Sequence, residues 1–142
     1  MMQLFFNLSR LLRYSLKSGD EESAQYYKDI IARTVSLYDM GNHMAYMTEA
    51  EFYASRKDED KTLESIRNVM QSIPKLRKTF DSILCKHIYK DFSMDDKKEQ
   101  EYLVMINQCK KSIISAIKND EKFAFMKDNE ELKKMIKEYE SF

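Results

Sequence analysis

Glycine and proline are nearly missing from this chain, with two glycines and one proline in 142 residues. Turn-rich sheets draw on both, so the scarcity argues against a strand-and-hairpin architecture. Cysteine is scarce too. Cys85 and Cys109 stand alone without CxxC spacing, which sets aside a secreted disulfide scaffold and places the chain in a reduced, cytoplasmic setting. An excess of one charge is also lacking: 24 Lys and Arg balance 24 Asp and Glu, so no overall field draws the chain to nucleic acid or to an anionic membrane. No uncharged apolar run approaches about 18 residues, which predicts no membrane span. Met1 to Leu16 carries Arg10 and Arg13 and lacks a small-residue cleavage site, so it reads as something other than a secretory signal.

What remains is helical. Hydrophobic residues make up 43% and charged residues 34%, a balance that suits a folded all-α chain of one domain, or a short solenoid counted as one. Phe5, Leu8, Leu12 and Leu16 share one helical face before Ser18-Gly19-Asp20 interrupts it. Gly19 fits the left-handed conformation that ends a helix, and Asp20 then caps the next. That second helix is predicted over 21–38, with Ala24, Tyr27, Ile31, Val35 and Tyr38 on its face and Gly41-Asn42 as its stop. Moved by 38 residues, the stretch Ser18 to Ala24 falls on Arg56 to Thr62, turn upon turn. The acidic residues at both turns read as stabilisers of helix N-termini, where the macrodipole favours negative charge.

Further on, Phe80, Ile83, Leu84 and His87 begin another helix, and 90–95 reads as a loop leading to a capping-box-like start at Ser93 and Asp96. Tyr102, Ile106, Cys109, Ile113 and Ile117 then keep one long face apolar. After a short linker at 123–128, a final amphipathic helix carries Leu132, Met135, Ile136 and Tyr139, capped by Asp128 with Glu131.

Tyr46, Glu49, Ala50 and Tyr53, followed by Thr62, Ile66 and Pro74, are spaced as in one tetratricopeptide repeat, and the stretch resembles that family. Glu49 stands where Leu is usual and Thr62 where Ala is usual. The family repeats at about 34 residues, so the offset of 38 places an extra helical turn in the first unit. The resemblance implies an all-α, right-handed solenoid of antiparallel helix pairs with about seven helices. Its units would cover about 5–40, 43–74 and 76–118, with a cap at 123–142. Tyr53 would sit between the two helices of its unit, near Ile66.

The resemblance also implies a groove lined by the first helix of each unit. Its residues would be Phe6, Ser9, Arg13 and Lys17, then Met47, Glu51 and Ser55, then Lys78, Asp81, Cys85 and Tyr89. Ser9 and Arg13 stand where chaperone-binding relatives carry a Lys and Asn clamp, so a chaperone tail is not the expected ligand. The implied function is a non-catalytic protein- or peptide-binding module. It is similar to the sensor region that follows a helix-turn-helix domain in bacterial regulators. The alternative is a homo-oligomerising assembly protein, because Phe5, Phe6, Leu8, Leu11 and Leu12 ask for a neighbour, either another domain or a second copy forming a homodimer. Two histidines and two cysteines this scattered do not make a zinc site. No nucleotide, hydrolase or metalloprotease motif is present, so no cofactor and no enzyme activity is expected. Far-ultraviolet circular dichroism of the purified chain is expected to show helix well above the globular average of about one third. A spectrum with substantial sheet would overturn the reading.

Overall fold

The computed structural model describes residues 2–76 and 96–141, and every regular element among them is helical. The α-helices are α1 (Met2–Ser18), α2 (Glu21–Leu37), α3 (Asn42–Ser55), α4 (Glu59–Ser72), α5 (Asp96–Asn119) and α6 (Glu130–Glu140). Short 3₁₀ segments follow α4 at Ile73–Lys75 and α5 at Glu121–Met126. Among the described residues no helix is long and apolar enough to cross a membrane. The chain divides into two compact units, Met1–Val69 and Met70–Phe142. The expected helix of Phe80, Ile83, Leu84 and His87, the loop at 90–95 and Ser93 lie outside the described residues.

In the first unit α1 packs along α2, α2 along α3, and α1 also touches α3. The core is Leu12, Ala24, Ile31, Val35 and Phe52, with Phe5, Leu8, Leu16 and Tyr27 packed at its edge. These are the faces that helical spacing assigns to α1 and α2, because residues three and four apart share a side.

The offset of 38 seen in the sequence is carried into geometry. Gly19 has φ +74° and Lys57 has φ +55°, so equivalent residues of the two turns adopt the left-handed conformation. Asp20 then accepts a 3.0 Å bond from the Ser23 amide, and Asp58 a 3.1 Å bond from the Lys61 amide. The amides of Asp20 and Asp58 in turn donate to the carbonyls of Ser15 and Tyr53. Burial repeats at several of these positions, though not at every one: Phe52 is enclosed and Tyr14, 38 residues earlier, is exposed. Leu12 and Ala50, Ala24 and Thr62, Ile31 and Val69, Val35 and Ile73 are each buried pairs at this offset. The extra length in the first pair is also present, since α2 runs 17 residues and α4 runs 14.

Helix α3 buries two adjacent aromatics unequally. Tyr53 is only half-buried, with the Lys61 ammonium 5.2 Å from its ring centre, while its neighbour Phe52 is fully enclosed. The reason is that α3 is buried on opposite sides, Thr48 and Phe52 on one and Ala50 and Ala54 on the other. Successive residues of a helix differ by about 100°, so residues 52 and 53 cannot both face the same neighbour squarely.

In the second unit α5 packs against both 3₁₀ segments. Ile113 and Ile117 are buried and Tyr102, Ile106 and Cys109 half-buried on the expected face, while Leu103, Val104 and Met105 are exposed. The expected linker at 123–128 is instead largely a 3₁₀ turn that buries Phe123 and Met126. The cap of α6 is Asn129 rather than Asp128. Its side chain accepts a 2.8 Å bond from the Leu132 amide, because the capping residue must directly precede the first helical one with an extended backbone. Leu132, Ile136 and Tyr139 are the buried face of α6.

Truncating Phe52→Ala should cost about 3 to 5 kcal/mol, as for other fully buried aromatics, and Tyr53→Ala clearly less. Urea denaturation of the two variants measures this; equal losses would contradict the unequal burial.

Candidate functional site: the α1–α3 face

The residues assigned to the groove fall into two sets. Lys78, Asp81, Cys85 and Tyr89 lie outside the described residues. The others sit on α1 and α3, and two of them meet. Arg13 donates from Nε and Nη2 to the two carboxylate oxygens of Glu51, both at 3.2 Å. Their separation of 38 residues makes them equivalent positions of successive helix pairs. The fork geometry aligns both side chains, and Glu51 is the more sheltered partner, 15% exposed against 54% for Arg13.

Around this pair the surface is mixed. Phe6 is 51% exposed, its ring edge-on to Phe5 at 5.9 Å. Met47 is half-buried and Lys17 exposed. Ser9 is half-buried, and its Oγ is enclosed without a hydrogen-bond partner among the described residues. The Ser55 hydroxyl turns back to its own helix, donating to the Phe52 carbonyl at 2.7 Å. An adaptable thioether, an exposed ring and a fixed ion pair on neighbouring helices suit contact with a peptide of mixed apolar and charged character.

A second cluster, on the other side of α3, escaped sequence reasoning. The Arg56 guanidinium stacks 3.7 Å from the Phe52 ring centre and Lys28 Nζ lies 5.4 Å from it. Arg56 also pairs with Glu21, and Lys28 with Asp29 at 2.9 Å. The available signal was the spacing of Phe52 and Arg56, four apart on one helix face, where an aromatic ring and a cation meet. The neighbouring Glu49 carboxyl is pushed above the ordinary range by burial; Lys28 pulls it down, while Glu64 and Asp29 push it further up.

Other titratable groups respond to their surroundings. Burial lowers His43, whose Nδ1 has no hydrogen-bond partner among the described residues. Burial raises Cys109 and, with the help of Cys109, Tyr139. Bonds from Ser23 lower the capping carboxyl of Asp20. Among the described residues no three His, Cys, Asp or Glu side chains gather to hold a metal ion. No protein-family model, curated protein or solved structure matches the chain.

Glu49 gives a pH test with a definite sign. Because its folded pKa is raised, the native state holds a proton that the unfolded chain releases. Its contribution to stability is therefore full below the unfolded pKa and is lost as pH rises through the folded value. Glu49→Gln should be more stable than the parent at pH 7, with the advantage shrinking towards pH 4. Denaturant midpoints across that range check it, and a parent more stable at pH 7 would refute it.

Proposed function

We propose that this chain is a non-catalytic protein- or peptide-binding module of tetratricopeptide-like build, a right-handed stack of antiparallel helix pairs. It serves as the peptide-sensing or regulatory part of a bacterial regulator. The observation that carries this reading is the Arg13–Glu51 pair, which joins equivalent positions of α1 and α3. When equivalent positions meet, first helices lie side by side, and their remaining residues share one face. Full burial of Ala50, Thr62 and Ile66 supports the family resemblance, since these are among the residues that carry it. Helix-pair stacks of this sort work through extended surfaces of such first helices.

The binding face is then Phe6, Met47 and Lys17 around the ion pair. Arg13 has a dual part, as a groove residue and as the tie between two helices, so it is a poor site for a clean test. Phe6 and Met47 are better.

Screening a random peptide library against the immobilised chain supplies ligands. Phe6→Glu and Met47→Glu should each weaken their binding about tenfold or more while leaving the melting temperature nearly unchanged. Retention of full affinity by both variants would remove the groove reading. If sedimentation showed instead a dimer that Phe6→Glu dissociates, the assembly-protein alternative would replace it.

A further inference from the structure

Helix α1 has a third side that neither its core face nor the Phe6–Arg13 face uses. Leu4, Asn7, Leu11, Tyr14 and Ser18 follow one another at alternating spacings of three and four, the seam pattern of helices that pack side by side. All of it is in solvent: Leu4 and Leu11 are each 44% exposed and Tyr14 is 73% exposed, and Asn7 and Ser18 are exposed. The seam is flanked on its outer side by Arg10 and Lys17, one turn-pair apart and both exposed. A shallow depression lined by Asn7, Arg10, Leu11, Arg13, Tyr14 and Lys17 runs along it.

Charge decides the occupant. Not one Asp or Glu lies on α1, and Arg10 and Lys17 form no ion pair among the described residues. A second copy of α1 laid antiparallel on the seam would set these cations against each other. Laid parallel, it would offer them only Leu8 and Ser15, which face their own core. Neither orientation supplies a carboxylate. A helix with an apolar stripe flanked by carboxylates fits both features at once, with charges at flanking positions choosing the partner. We propose that this edge of α1 is a docking seam for an acidic amphipathic helix. Asn7, with its Oδ1 accepting from Gln3 at 3.2 Å, is the polar break that fixes the register of such a pair.

The probe is a synthetic peptide of about three heptads, with Leu at both seam positions and Glu at both flanking positions; repulsion between its own flanks keeps it monomeric. The control carries Lys in place of Glu. Fluorescence anisotropy with the full chain should show binding of the Glu peptide and about tenfold weaker or no binding of the Lys peptide. Arg10→Glu combined with Lys17→Glu should reverse that order, as exchanging attraction for repulsion at two exposed pairs amounts to about tenfold. Amide shifts on binding should centre on Leu4, Asn7, Leu11 and Tyr14, none of which belongs to the groove set, so this outcome is separable from groove binding. Equal binding of both peptides, binding of neither, an unchanged preference in the charge-reversed variant, or a dimer of the parent chain that Leu11→Asp dissolves would each overturn the proposal.

Discussion

The packing of the first unit depends on one backbone constraint used twice, a left-handed residue followed by a capping aspartate at the α1–α2 and α3–α4 turns. At Gly19 and again at Lys57 the chain takes positive φ, and the next residue, Asp20 or Asp58, caps the following helix. One residue more or less there would rotate the second helix by about 100° about its axis. Ala24, Ile31 and Val35 would then leave the core they share with Leu12 and Phe52. The same geometry at both turns is what carries burial from Ala24 to Thr62 and from Ile31 to Val69. Gly19 adopts this conformation freely. Lys57 does so against the usual cost for a residue with a Cβ, and the Asp58 amide bonded to the Tyr53 carbonyl holds it there.

How much of this was legible follows from how each residue signals its role. The faces of α1, α2 and α6 are amphipathic, so spacing alone picks Leu12, Ile31, Val35 and Ile136. Gly19 announces its turn by composition, whereas Lys57 is found only through its offset from Gly19. Phe52 gives no such signal, because a helix buried on two sides has no polar face to set its apolar one against. At α6, Asp128 and Asn129 are both good caps, and only the backbone chooses between them. For the site, Arg13 and Glu51 were legible as members of one face through the family resemblance. Their pairing follows only once it is seen that they stand at equivalent places in two helix pairs.

The balanced charge of the chain conceals a local sorting. Acidic residues gather at the starts of α2, α4 and α6, where unsatisfied amides favour them, while α1 carries cations alone. Between these extremes, Phe52 draws two cations: Arg56 stacks on its ring with Glu21 as anion, and Lys28 approaches it with Asp29. In each pair the cation is the more sheltered partner and the carboxylate the more exposed, so the ring supplies the common anchor and the carboxylates hold the cations from the solvent side. Glu49 is the exception, a half-buried carboxyl that burial pushes above its ordinary range, with Lys28 drawing it down and two further acids pushing it up.

The meeting of Arg13 with Glu51 has a consequence in symmetry. Arg13 and Glu51 are unlike residues at like places in two helix pairs, so their contact is heterologous, unlike the two-fold contact of an isologous dimer. Leu4, Leu11 and Tyr14 on α1 take no part in that contact and stay largely in solvent, so the tie between the two helix pairs leaves them uncovered.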